Sequence, residues 1–329
     1  MVSDQLLDEL RHRGLLSAHH TEAIRQDERS RPFSLHYELR AALYLGITLL
    51  TGGLGVLLYQ HLDDIGHGVV VLSMAVLMLT GFGYAARHRQ PFTWEQVTTS
   101  SFVPDYALLL GCLLFLALET YLQVQYNLFG NRYGLATVLP AVLFFLLAYR
   151  FDHRGVLAMA ITALASWVGV SVAPLSAFTD NNFLYYGLGG AAVGLGLLLT
   201  AVGFEAEINR HKPHFAFTYI SLGANLALLA ATSALFTFYP QPFLPKVLVV
   251  PLLVVLSGSL VWYARRTKSY LFLLMGVLYG YITVTYLLFR VLDGVHGEIG
   301  ATIVMLYFTL SAVGVVVLFV HGKKFLNRS

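Results

Sequence analysis

The chain has 329 residues, of which 57% are hydrophobic and only 12% charged, with a formal net charge of +3. Soluble domains carry about 25% charged residues, so a water-soluble fold would lack the polar surface it needs. The single Cys112 excludes an intrachain disulfide.

Taken in chain order, residues 1–36 predict a short cytoplasmic helical hairpin. Leu6, Leu7 and Leu10 make one apolar face, Gly14 ends the first helix and Ser17 caps a second. A hairpin of this length cannot bury a core of its own. It is expected to dock on the membrane surface, on the loops or on a cytoplasmic protein partner. Asp4, Asp8, Glu9, Arg11 and Arg13 precede any apolar core, so no signal peptide is expected and the first span serves as the insertion signal.

Apolar runs then follow at 41–60, 67–86, 106–126, 133–149, 155–177, 183–203, 215–238, 245–263, 269–290 and 299–320. Each approaches the roughly 20 residues that a helix needs to cross a bilayer. They lack the alternation of barrel strands, and backbone polar groups in hydrocarbon must be satisfied within the helix. The fold class is therefore all-α: a polytopic membrane helix bundle of about ten spans, with residues 1–40 as the hairpin region and 41–329 as the transmembrane domain.

Charge sets the expected orientation. Of 21 Lys and Arg residues, only Arg132, Lys246 and Arg290 fall on the side opposite the N-terminus. The positive-inside rule then puts both termini in the cytoplasm. Basic clusters at Arg265, Arg266 and Lys268, and at Lys323, Lys324 and Arg328, suit anionic lipid headgroups.

The candidate chemistry lies toward the outer side. His61, Asp63, Asp64 and His67 follow the first span, Asp180 lies after the fifth, and Asp293, His296 and Glu298 follow the ninth. Carboxylates with imidazoles suit a divalent or proton-linked cation. The other reading is that acidic outer loops are what the positive-inside rule leaves behind. Glu119 lies inside the third span, about 20 Å from its cytoplasmic end at 1.5 Å per residue. An ionisable group there should face protein or water. Gln123 and Tyr126 lie on the same side, with Gln123 one turn on as a hydrogen-bond partner. Glu119 reads either as a proton or cation ligand or as a packed carboxyl held by its neighbours. Pro140 and Pro251 are expected to kink their helices at a similar depth. Gly190 and Gly194 form a small-xxx-small pair suited to close helix approach.

The stretches "LLDELRHRGLLSAHHTEAIRQ" and "LETYLQVQYNLFGNRYGLATVLPAVLFFLLAYRFDHRGVLAMAITALASWVG" resemble the opening and central blocks of the bacterial family of predicted membrane proteins called domain of unknown function 2157. The resemblance implies a bacterial inner-membrane location and an unassigned function, and carries no site residues with it.

No Walker loop, zinc signature, nucleophile elbow or HExxH appears. The sequence thus names no catalytic residues, cofactor or nucleic-acid partner. Three functions stand open: a transporter of a small molecule or cation, a membrane scaffold or sensor acting through the hairpin, and, ranked last because no acid–base pair or nucleophile set can be named, an intramembrane enzyme.

Overall fold

The computed structural model describes residues 35–60, 66–96, 102–130, 132–172, 187–236, 246–292 and 298–326; the hairpin expected over 1–36 lies almost wholly outside them. The described residues form ten α-helices and no strand. They are α1 (Leu35–Gln60), α2 (His67–Arg87), α3 (Val103–Tyr126), α4 (Tyr133–Phe151), α5 (Arg154–Val172), α6 (Leu188–Ile208), α7 (Pro213–Phe236), α8 (Lys246–Thr267), α9 (Tyr270–Leu292) and α10 (Glu298–Leu326). Eight of them, α2 to α9, are long and apolar enough to cross a membrane. Shorter apolar stretches, Ala41–Gly53 and Ile299–Gly314, lie within α1 and α10. The chain is an all-helical, polytopic membrane protein.

The ends of the helices follow local chemistry. Helix α3 begins with proline near its start and Asp105 in its first turn, where a carboxylate suits the helix dipole. It ends at Asn127 and α4 ends at Asp152, both left-handed, the conformation that Asn and Asp tolerate best after glycine. Helix α6 is set by Gly187, at φ 95°, and runs five residues further along the chain than the apolar pattern suggested. The uniform run around "GLGGAAVGLG" offers no polar mark for its start.

The chain divides into two units, Met1–Val70 and Val71–Ser329. In the first, α1 ties the hydroxyls of Thr48 and Thr51 to the carbonyls of Tyr44 and Ile47 one turn back. This satisfies polar atoms within an apolar helix.

In the second unit, sequential antiparallel pairs α4–α5, α6–α7 and α8–α9 pack together, and α7 is the most buried span. One core joins Cys112, Phe144, Val156, Leu157 and Phe215. The other joins Ile220, Leu228, Leu253 and Phe272. Tyrosines then tie helices across apolar surroundings: Tyr279 donates to Asn225 Oδ1 at 2.6 Å, and Tyr263 to Glu207 Oε2 at 2.7 Å. The Tyr307 hydroxyl meets that of Thr285 at 2.6 Å, linking α10 to α9.

Helices α6 and α7 approach through glycine, but not through Gly194, whose missing Cβ would meet nothing within 4 Å. A Cβ on Gly196 would lie 2.5 Å from the Gly223 carbonyl oxygen, and one on Gly223 would lie 2.8 Å from that of Gly196. Backbone cannot yield at that distance without parting the helices. Gly196→Ala is therefore expected to destabilise by about 1–3 kcal/mol, with Gly194→Ala near neutral. Thermal unfolding of the two variants checks this.

Candidate functional site

The described residues place only part of the outer acidic group. His67 opens α2 and is half-buried. His61, Asp63, Asp64, Asp180, Asp293 and His296 lie outside the described residues, as does the side chain of Glu298. Among the described residues no group of three His, Cys, Asp or Glu could hold a metal ion.

Glu119 is buried in α3, with 7% of its surface exposed. The turn after α3 gives Gln123 a task other than binding it. Because Asn127 is left-handed, the chain doubles back, and the Phe129 N–H donates to Gln123 Oε1 at 2.9 Å. Gln123 Nε2 donates to Asn127 Oδ1 at 3.2 Å and to the Gly130 carbonyl at 3.3 Å. The amide is thus spent on the α3–α4 turn. Tyr126 is 54% exposed, so of the three residues assigned to one helix side, only Glu119 is buried.

Glu119 Oε1 is buried and has no hydrogen-bond partner. Thr232 Oγ1, Ser257 Oγ and His214 Nδ1 share that condition among the described residues, but none of them is an acid. Several other polar residues of the spans are engaged. Asn225 accepts from Tyr279, while Ser166, Ser221 and Thr283 donate to carbonyls of their own helices. Glu119 stands as far before the end of α3 as Pro140 stands after the start of α4, so the antiparallel pair holds them at one depth. Pro140 is buried, and its ring nitrogen cannot donate to the carbonyl of Ala136 one turn back. The carbonyl so freed belongs to Ala136, about 6 Å nearer the start of α4 than Pro140 and Glu119. Pro251 occupies the exposed side of α8.

A second polar centre was not foreseen. The loops after α2, α4 and α6 lie at the basic end of the bundle, and there Lys212 Nζ donates to Asp152 Oδ1 at 2.6 Å. His214 Nε2–H donates to the same oxygen at 2.7 Å. The three side chains are 1%, 7% and 5% exposed, in the order Lys212, Asp152, His214. The ammonium also lies 5.1 Å from the ring centre of Phe92 and 5.5 Å from that of Phe215. His153 caps α5 by accepting from the Val156 N–H at 3.1 Å. Burial pushes its imidazole below the ordinary range, while the carboxylates of Asp105 and Asp152 pull the other way.

Residues 88–96 lie across this centre as a strap. The Lys212 N–H donates to the Trp94 carbonyl at 3.0 Å. Arg150 donates to the Gln90 carbonyl and Arg154 to Gln96 Oε1, each at 3.2 Å. A cavity of about 30 Å³ beside it, room for a water molecule, is lined by residues that include Arg89, Asp105, Arg150 and Asp152. A larger recess of about 340 Å³ between α5, α6 and α7 is almost wholly apolar, and its one hydroxyl, Ser233, bonds to Ala230 of its own helix.

No curated protein and no solved structure matches the chain. Residues 8–157 match the model of the family described as Predicted membrane protein (DUF2157), and over that stretch the match confirms the resemblance carried by the opening and central blocks.

Proposed function

We propose that the protein is an inner-membrane transporter of a cation or small molecule, in which Glu119 takes up and releases a proton or cation. The observation that carries this reading is the buried, unpartnered Glu119 Oε1 inside a membrane-spanning helix. A carboxyl in hydrocarbon is costly whether charged or neutral unless it is bonded. A structural carboxyl would be held by its neighbours, whereas a ligand-binding one has a lone pair to offer. Pro140 adds to this, since it frees the Ala136 carbonyl within one helical turn of that depth, an oxygen of the kind that hard cations accept.

The experiment is flux in proteoliposomes carrying a pH-sensitive dye, with an imposed sodium or potassium gradient. Wild-type protein is expected to move protons against the cation gradient above the rate of protein-free vesicles, and Glu119→Gln is expected to return the rate to theirs. Equal flux from the two proteins would refute the assignment.

The basic end of the bundle faces the cytoplasm in this reading, where the exposed Arg265, Arg266 and Lys268 meet anionic headgroups. In a Cys112→Ala background, a cysteine at Arg266 is expected to react only from the cytoplasmic side. One at the exposed Leu128 should react only from outside. The reverse labelling would invert the topology.

A further inference from the structure

We propose that Asp152, Lys212 and His214 form a releasable latch that, with the strap at 88–96, closes the cytoplasmic end of the bundle. The proposal deepens the transport reading and rests on it, because a carboxyl placed toward the outer side serves transport only if the opposite end is shut in turn.

Three observations converge on the latch. The first is its span. Asp152 lies between α4 and α5, Lys212 lies between α6 and α7, and the strap follows α2, so one carboxylate oxygen joins loops far apart in the chain. The second is its chemistry. A buried ion pair is no more stabilising than apolar packing of the same shape, so its use in an otherwise apolar bundle suits a contact made and broken. The Asp152 carboxylate balances the Lys212 ammonium, and His214 donates as a neutral ring. The third is backbone strain. Asp152, Arg210 and Lys212 have φ of 59°, 55° and 51°, in the left-handed region. Arg and Lys gain nothing locally from that conformation, which persists because the surrounding contacts hold it.

The cover is shallow. Phe92 and Trp94 are about half exposed on their outer sides, yet Lys212 beneath them is almost fully buried. Lifting the strap would break the Trp94 carbonyl bond and remove the Phe92 ring, and would wet the ammonium directly. Below this cover, Cys112 is fully buried against Phe144, Val156 and Phe215, about 14 Å along α3 from its start. The one cysteine of the chain is therefore a native reporter of opening at this end.

The test uses the full chain in inside-out vesicles with a charged, membrane-impermeant maleimide. Wild-type Cys112 is expected to react slowly. Asp152→Asn, which removes the charge partner of Lys212, and Phe92→Ala, which removes the ring that covers the ammonium and leaves the ion pair in place, should each speed labelling about tenfold or more, as a shift toward an open population would. To separate opening from general loosening, the same substitutions are placed in Cys112→Ala/Leu253→Cys, where the thiol sits in the other core. That thiol should stay protected. Unchanged Cys112 labelling in either variant would overturn the latch, and so would equal exposure of the thiol at 253. Failure of the Glu119 assignment shows instead as unaltered flux in Glu119→Gln, with the labelling pattern left standing.

Discussion

Asp152→Ala is expected to lower stability by about 3–5 kcal/mol, the largest effect of any single change at the loop centre. The substitution leaves the Lys212 ammonium buried with no anion, and it strips His214 of the acceptor for its Nε2–H. Both costs arise in the folded state, because the unfolded loops would give these groups to water. Asp152→Asn/Lys212→Met tests the cause. Asn retains the tolerance for a left-handed backbone, and Met fills the space of the lysine stem without its charge. That pair is expected to recover most of the loss, since removing both charges leaves none unpaired. A double-mutant cycle on unfolding in mixed micelles measures the coupling. An additive cycle would show that the two residues do not act on one another.

Glu119→Leu is expected to raise stability by about 1–3 kcal/mol while abolishing transport. Glu119 Oε1 is buried without a partner, and the cost of such an atom is of this size. Leucine has similar bulk and carries no polar atom. Glu119→Gln should change stability less, because an amide still carries unsatisfied groups to the same place. A gain in stability together with a loss of activity is the signature of a residue kept for function at the expense of the fold. Thermal unfolding and proteoliposome flux measured on the same preparations check both halves. A marked loss of stability in Glu119→Leu would instead make the carboxyl a packing element.

The helices were legible in the sequence because the bilayer imposes a length and a composition. The apolar runs from 67 to 292 each coincide with a helix of the structure, and α1 extends back to Leu35 because hydropathy marks the apolar part of a helix and not its end. The start of α6 was not legible, since the left-handed Gly187 that sets it is one of several glycines in a run. The glycine that carries the α6–α7 contact was not legible either. Spacing picks out the pair Gly190 and Gly194, yet a Cβ on Gly194 would meet nothing and the contact falls on Gly196, because only the partner helix decides which face is crossed.

The sites divide along the same line. Glu119 was legible as an acid within a span. That Gln123 would turn to the loop was not, because it depends on a left-handed Asn127 reversing the chain. Asp152, Lys212 and His214 lie in short basic loops that mark no site by themselves, and sixty residues separate Asp152 from Lys212. One signal was present: Asp152 in "YRFDHRG" is an acid among basic residues at the end of a helix. Its partner could be found only once the loops were brought together.

The most direct test of the central claim is infrared difference spectroscopy of the reconstituted protein on changing pH, and on adding sodium, potassium or magnesium. A carboxyl that exchanges a proton or cation gives a band that responds to these changes. The account predicts such a band in the wild type and its loss in Glu119→Gln, with the rest of the spectrum kept. A spectrum in which no carboxyl band that depends on Glu119 responds to either change would contradict it.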